Sequence, residues 1–142
     1  MYFYVFFISA LNGKESHILL DVLKEDIHYK TLVKTPVGSS FLKETGTPVM
    51  VTTPDFNNIL GDKLTAFAPT TTGIPYIKKD KEMGMEIIKQ MYDVGCLFDE
   101  IDDISMVKDV FKAFAAIELE YRGNTHTISD VLDDTFYTAL AV

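Results

Sequence analysis

The order of apolar and polar residues predicts a β-hairpin at the start of the chain. Two apolar runs, residues 2–11 and 16–23, flank the dipeptide Asn12-Gly13. Asn-Gly between apolar runs is a strong hairpin signal, because both central residues of a type I′ turn need a positive φ. Both runs are almost continuously apolar, so we expect each strand to be covered on two faces by further sheet or helix.

Beyond the hairpin, the pattern predicts short strands and then helices. Short strands are expected at residues 31–34 and 48–51, within a segment of loops that extends to Thr53. From there an apolar residue recurs every three or four positions, which predicts helices. We expect four of them, at residues 54–67 with Thr53 as N-cap, at 81–98, from Asp102 or Asp103 to Gly123, and at 130–140 after Ser129. The sequence therefore predicts an α+β fold, with a β-rich part over residues 1–53 and an α-helical lobe over residues 54–142.

Charge is distributed unevenly, and this narrows the classes of function. The net charge is −8, and apolar residues make up 47% of the chain, as is ordinary for a packed globular protein. Residues 1–53 carry five acidic and five basic side chains, whereas residues 54–142 carry sixteen and eight. Because an acidic surface repels the phosphates of nucleic acid, we expect no non-specific DNA binding. The acidic run at residues 99–103 lacks the ligand pattern of an EF-hand, and we expect it to be a solvated corner that caps a helix.

The apolar start of the chain is too short to predict a membrane segment. A spanning helix needs about 20 apolar residues, and no basic region precedes the apolar run, as it does in a signal peptide. Cys96 is the single cysteine, and its apolar neighbours suggest a buried thiol in a reducing compartment. We therefore expect a cytoplasmic protein with no membrane partner.

Three charged residues are the strongest candidates for chemistry. Asp21 stands in an apolar strand, where a desolvated carboxylate must be paired, protonated or bound to metal. The alternative is that Asp21 lies on a solvent-facing edge or at a bulge. Lys63 stands in a predicted helix and could bind phosphate as a point charge, the alternative being an ordinary solvated lysine. Asp93 follows in the next predicted helix.

In order and spacing, these segments resemble the AbiEii/AbiGii nucleotidyltransferase family, which consists of toxins or abortive-infection effectors with a DNA polymerase β-like nucleotidyltransferase fold. The resemblance covers most of the chain. It is most distinctive over residues 53–69, 73–76 and 87–94. It implies that residues 1–53 are the remnant of a nucleotidyltransferase core, with a partial sheet, and that residues 54–142 are the carboxyl-terminal lobe.

The resemblance also implies roles for individual residues. Asp21 and its apolar neighbours resemble the strand that carries the third catalytic acid of the family, which would bind metal. Lys63-Leu64-Thr65-Ala66 resembles the Lys-Leu-x-Ala helix, whose lysine addresses the nucleotide triphosphate. The segment from Lys89 to Asp93 resembles an Arg-Asp-x-x-Asp element, but lysine replaces the arginine and Gln90 replaces the first aspartate. The implied catalytic residues are thus Asp21, Lys63 and Asp93, and the implied nucleotide-binding residues are Lys63 and Lys89.

This sequence departs from the family pattern at its amino terminus. The family carries a Gly-Ser turn and an Asp-x-Asp strand, and nothing before Asp21 resembles either. Nucleotidyl transfer in this fold uses two Mg²⁺ ions held by three carboxylates. We therefore expect this chain to be a carboxyl-terminal portion that is inactive when isolated, with Met1 either a natural start or a truncation.

For the intact family member, the resemblance implies Mg²⁺ and NTP as cofactors, RNA or protein as the acceptor, and a role in toxin–antitoxin or phage-defence systems. Expected partners are an antitoxin, a complementary nucleotidyltransferase half, or a second copy that pairs through the hairpin surface. The alternative function is a non-catalytic module that binds an antitoxin or such a half. A self-contained protein of unrelated fold is the third possibility.

Overall fold

The computed structural model describes residues 1–38 and 46–141, which form three antiparallel strand pairs and four helices. This confirms the predicted α+β class. Within the described residues, no helix has both the length and the apolarity that crossing a membrane requires. The strands are β1 (Tyr2–Ile8), β2 (Glu15–Asp21), β3 (Leu32–Pro36), β4 (Met50–Pro54), β5 (Ile77–Lys78) and β6 (Lys81–Glu82), and the helices are α1 (Phe56–Ala66), α2 (Gly84–Phe98), α3 (Ile104–Tyr121) and α4 (Ile128–Ala141).

Strands β1 and β2 form the predicted hairpin. The register pairs Tyr2 with Asp21 and Ile8 with Glu15, so residues 9–14 connect the two strands. The expected type I′ turn at Asn12-Gly13 is wrong, because Gly13 has a positive φ of 66° but Asn12 does not have a positive φ. The longer connection is closed by a hydrogen bond from the Gly13 N–H to the Ser9 backbone oxygen at 2.9 Å. The expected cover on two faces is wrong for the described part of the chain, because every residue of β1 and all but Ser16 of β2 are exposed. The helices pack around α1 instead of against the hairpin. The apolar side chains of the hairpin therefore lie on the surface of the described protein.

Strands β3 and β4 correspond to the two predicted short strands and lead directly into α1. Pro54 is the last residue of β4 and pairs with Leu32 of β3. The N-cap of α1 is Asp55 rather than Thr53, because an Asp55 carboxylate oxygen accepts a hydrogen bond from the Asn58 backbone N–H at 2.9 Å. The strand therefore extends up to the helix cap.

Helix α1 is the central element of the helical part and packs against α2, α3 and α4. Leu60 is fully buried. At Gly61 the crossing with α3 is so close that an added Cβ would lie 2.7 Å from Cβ of Val110. Glycine therefore allows the two helix backbones to approach each other. On the α4 side of α3, the core contains Ala68, Phe111, Ala115, Leu119 and Val131.

Two buried asparagines at the start of α1 hold neighbouring segments in place. The side-chain oxygen of Asn57 accepts hydrogen bonds from the backbone N–H groups of Asp102 and Asp103, at 3.2 and 3.1 Å. The side-chain oxygen of Asn58 accepts one from the backbone N–H of Lys30 at 2.7 Å. Consequently the turn between α2 and α3 and the segment before β3 are both fixed to α1.

Helices α3 and α4 begin at side-chain caps. Asp103 caps α3 by accepting hydrogen bonds from the backbone N–H groups of Ser105 and Met106. Of the two predicted caps, Asp102 and Asp103, the second is therefore confirmed. Helix α4 begins two residues before the predicted start. There Thr127 and Asp130 cap each other reciprocally, with the Asp130 backbone N–H donating to the Thr127 hydroxyl at 3.3 Å and the Thr127 N–H donating to the Asp130 carboxylate at 2.7 Å.

Helix α2 differs from the prediction in its start and in its burial. It begins at Gly84 rather than at residue 81, because Lys81 and Glu82 form the short strand β6. Ile87 is the only residue of α2 that is buried. Cys96 is exposed, so the expected burial of its thiol is wrong. The apolar neighbours of Cys96 in the sequence belong to α2. Only one side of α2 packs against α1, so most of these residues are not buried.

Candidate functional site

Lys63 lies in the last turn of α1, and its ammonium group faces α2. Its Nζ donates to Oε1 of Gln90 and to Oδ2 of Asp93, each at 3.1 Å. Gln90 and Asp93 are three positions apart, which places both on the same side of α2. The side chains of Lys63 and Asp93 are 34% and 32% exposed, so solvent reaches the ion pair.

Gln90 is a member of this cluster that sequence reasoning treated only as a departure from the family pattern. Its amide oxygen accepts from Lys63, as a carboxylate would, but it carries no charge. Asp93 is therefore the single carboxylate among the described residues that pairs with the Lys63 ammonium. The three-residue spacing of Gln90 and Asp93 along α2 is the sequence signal that could have indicated a shared partner, which is the Lys63 ammonium.

The other two predicted residues do not join this cluster. Lys89 is exposed on α2 and makes no ion pair with another described residue. Asp21 ends β2, its side chain is 49% exposed, and its carboxylate lies 3.8 Å from the amino terminus of Met1. The expected desolvation of Asp21 is therefore wrong, because the residue stands at the open end of an uncovered hairpin. No hydrogen bond or ion pair within residues 1–38 and 46–141 joins Asp21 to the cluster.

The fit of the described residues to a pair of Mg²⁺ ions can be judged from their donor groups. Mg²⁺ prefers oxygen ligands in octahedral geometry, and a two-metal site shares several carboxylates between its ions. In the part of the chain that the structure describes, no group of three or more His, Cys, Asp or Glu side chains is arranged to hold a metal ion. The described residues by themselves therefore do not fit a two-metal site.

A second polar pair, which the sequence did not point to, lies next to Lys63 along the chain. Tyr29 donates its hydroxyl hydrogen to Oδ2 of Asp62 at 2.7 Å. Burial raises the pKa of Asp62, and the negative charge of Glu118 adds to the rise, while the hydrogen bond from Tyr29 and the charge of Lys63 oppose it. Burial, together with Asp62, raises the pKa of the Tyr29 hydroxyl as well. Adjacent helix residues point about 100° apart, so Asp62 and Lys63 belong to different faces of α1.

Asp62 lines a cavity of about 650 Å³ beside the loop at residues 69–75. Buried Asp134 of α4 holds this loop by accepting from the backbone N–H of Thr70 at 2.9 Å and from the hydroxyl of Thr71 at 2.8 Å. At Gly73 an added Cβ would lie 2.3 Å from the backbone oxygen of Ala66, so no larger residue fits without a shift. The loop is thus folded tightly against the end of the helix that carries Lys63.

Comparison with protein families identifies the class as a nucleotidyltransferase. Residues 2–137 match the family described as "Nucleotidyl transferase AbiEii toxin, Type IV TA system". The chain therefore belongs to the AbiEii nucleotidyltransferase toxin family, as the resemblance indicated. Because that description names a toxin–antitoxin system, an antitoxin is the partner that the family suggests. A search of the curated proteins found no match, and a search of the solved structures found none.

Proposed function

We propose that this chain is part of a nucleotidyltransferase toxin that transfers a nucleotide from an NTP to an RNA or protein acceptor in the cytoplasm. The observation that carries the proposal is the Lys63 ammonium between Gln90 and Asp93, with both donor contacts at 3.1 Å and a third of the lysine side chain exposed. Because the side chain of Lys63 is partly exposed, solvent-borne phosphate can approach it. We propose a role in phage defence from the resemblance to the family, whose description names a toxin–antitoxin system.

In the proposed reaction, an acceptor hydroxyl oxygen forms a bond to the α-phosphorus of the NTP. The bond from that phosphorus to the bridging oxygen breaks, pyrophosphate leaves, and the hydroxyl proton passes to solvent or a base. Lys63 binds the phosphates and offsets their charge, and we propose exposed Lys89 of α2 as a further nucleotide-binding residue. Asp93 acts as a positioning residue, because its ion pair holds the lysine in one orientation.

The proposal includes a magnesium ligand but no step that depends on magnesium. We propose Asp21 as one metal ligand of the complete site, in which Mg²⁺ would neutralise phosphate charge. The described residues do not gather the other carboxylates, so we attribute no step to a metal here. We propose instead that the chain when isolated binds nucleotide but does not transfer it, and that a complementary nucleotidyltransferase half or a longer form supplies the missing ligands.

Nucleotide binding tests the role of Lys63 directly. Isothermal titration of the chain with each of the four NTPs, with and without Mg²⁺, should give binding that Lys63→Ala weakens by roughly 10- to 100-fold, as expected for the loss of a charge-assisted hydrogen bond. Lys89→Ala should weaken it less. Lys14→Ala is the matched control, because Lys14 is an exposed lysine beside the hairpin turn. Equal effects of Lys63→Ala and Lys14→Ala would contradict the proposal.

We do not expect the weaker nucleotide binding of Lys63→Ala to result from unfolding. A partly exposed ion pair contributes no more than about 1 kcal/mol, so Lys63→Ala should unfold at nearly the same urea concentration as the wild type. A variant that keeps its stability and loses nucleotide binding would support phosphate contact by Lys63.

Transfer itself is tested by labelling RNA and protein with an NTP that carries a radioactive α-phosphate. A longer form with a Gly-Ser turn and an Asp-x-Asp strand should transfer the label, and Asp21→Asn in that form should abolish it. Labelling that persists in Asp21→Asn would remove Asp21 from the site. Absence of any transfer by the longer form would reject the enzymatic proposal.

The exposed hairpin favours a second candidate, a non-catalytic module that binds an antitoxin or a complementary half. Both faces of β1 are exposed although its residues are almost all apolar, and surfaces of this kind mark protein interaction sites. A homodimer through the hairpin is the third possible use of this surface. Failure of all four NTPs to bind, together with antitoxin binding that Phe6→Ser abolishes, would favour this candidate over the enzyme.

A further inference from the structure

An apolar groove runs between α3 and α4, and Leu64 of α1 also lines it. Neither the Lys63–Asp93 ion pair nor the hairpin lines this groove. The volume of the groove is about 430 Å³. Val107 and Phe111 form its buried floor, whereas Ile104 and Leu132 at its sides are 62% and 53% exposed. The groove extends along α3 for about two helical turns, which is the length that a short helical segment can fill.

Two lysines on α3 border this groove. Lys108 and Lys112 both line it and stand one helical turn apart. Neither ammonium group forms an ion pair with a described carboxylate. Asp109, which lies between them in the sequence, is paired with Lys30 at 2.7 Å. The groove therefore offers an apolar floor with positive charge along its rim, and its complement is an apolar ridge with negative charge.

Helix α4 of the same chain carries a ridge with these properties. Leu132, Phe136 and Leu140 recur every four residues, so they form one stripe, and they are 53%, 59% and 71% exposed. The helix contains aspartates but no lysine or arginine. Among them, Asp133 is exposed and adjoins the stripe.

The groove and the ridge are continuous with each other, because Leu132 belongs to both. The groove is concave and the ridge on α4 is its convex complement. When two such surfaces lie side by side on one chain, a two-fold axis can pair the groove of each copy with the ridge of the other. We propose that the groove between α3 and α4 receives α4 of a second copy of this chain, so that the protein forms a symmetric dimer. Lys108 and Lys112 of each copy then face the acidic flank of the α4 that enters from its partner.

This dimer differs from the hairpin dimer considered above and does not depend on nucleotide transfer. Sedimentation equilibrium over a dilution series should show a monomer–dimer equilibrium for the wild type. The double variant Lys108→Glu with Lys112→Glu should weaken dimerisation by about tenfold or more, because like charges replace opposite charges at both copies of the contact. Lys14→Glu with Lys24→Glu, which makes the same change in net charge at exposed positions outside the groove, should leave it unchanged.

A charge exchange distinguishes this contact from loss of folding. Asp133→Lys should weaken the dimer when made alone, and should restore at least part of the dimerisation when added to the Lys108→Glu and Lys112→Glu variant. Far-UV circular dichroism should show the same helix content in all of these proteins. A wild type that stays monomeric throughout the dilution series would overturn the proposal. A dimer that resists these substitutions but is lost on Phe6→Ser in the hairpin would overturn it too.

Discussion

Replacing Gly61 by alanine is expected to destabilise the protein, whereas the same change at Gly95 is expected to stabilise it. Both glycines lie inside helices, where alanine is favoured over glycine by about 1 kcal/mol. Their surroundings differ. An added Cβ at Gly61 would lie 2.7 Å from Cβ of Val110 and 2.9 Å from the backbone oxygen of Val107. An added Cβ at Gly95 would meet no described atom within 4 Å apart from the adjoining residues and the backbone of its own helix.

The size of the effect follows from these contacts. Forcing an extra carbon into a packed site typically costs about 1–3 kcal/mol. The cost at Gly61 should lie in the upper half of that range, because a Cβ and a backbone oxygen are not the free ends of flexible side chains. After subtraction of the gain in helix propensity, Gly61→Ala should lower the free energy of unfolding by about 1–2 kcal/mol. Gly95→Ala should raise it by up to about 1 kcal/mol.

Urea unfolding followed by circular dichroism measures both changes, at one fixed protein concentration so that dimerisation does not alter the comparison. For a chain of 142 residues, 1 kcal/mol should move the melting temperature by roughly 2–4 °C. A Gly61→Ala protein as stable as the wild type would refute the close crossing of α1 and α3. Equal destabilisation by Gly95→Ala would show that the effect does not come from that crossing.

Two further predictions concern the polar groups around α1. Because the pKa of Asp62 is raised in the folded protein, the folded state holds this proton more tightly than the unfolded chain does, and stability should fall as the pH rises above the ordinary range of an aspartate. Asp62→Asn should flatten that part of the profile in urea melts at a series of pH values, and an unchanged profile would contradict the assignment. Asp134→Ala should cost about 1–3 kcal/mol, because the Thr70 N–H and the Thr71 hydroxyl lose their buried acceptor. Amide hydrogen exchange at Thr70 should accelerate, and protection as strong as in the wild type would show that Asp134 does not hold the loop.

The elements with local signals were predictable from the sequence. Asn12-Gly13 marked the position of the hairpin connection but not its turn type. The apolar period together with Asp103 defined α3. Three helix starts were misplaced because competing local groups decide them. The expected first residues of α2 form strand β6 instead. Asp55 caps α1 in place of Thr53, and the exchange of hydrogen bonds between Thr127 and Asp130 starts α4 earlier.

Burial was less predictable, because it depends on which elements pack together. The apolar residues of β1 and the thiol of Cys96 suggested covered positions, yet both are exposed. Conversely, Asn57 and Asn58 are polar residues in a helix, and they are buried because their amides bond to the backbone of distant segments. Such long-range partners leave no local pattern in the sequence.

Two of the four predicted site residues were found together in the structure. Lys63 and Asp93 were both singled out in advance, and the structure joins them. The contribution of Gln90 was visible only in the folded structure, since the direction of its amide shows that it serves as an acceptor. The roles of Lys63, Lys89, Asp93 and Asp21 in nucleotide transfer stay predictions until the binding and labelling experiments are done.

The neighbouring asparagines at the start of α1 have a consequence for insertions and deletions. Consecutive helix positions differ by about 100°, and Asn57 and Asn58 make their contacts in two different directions. Together they set the rotation of α1 about its own axis. A single residue inserted between Asn58 and Lys63 would keep that rotation at the first turn and swing the lysine by about 100°, away from Asp93. Changes of length in this stretch should therefore be far more harmful than changes of side chain.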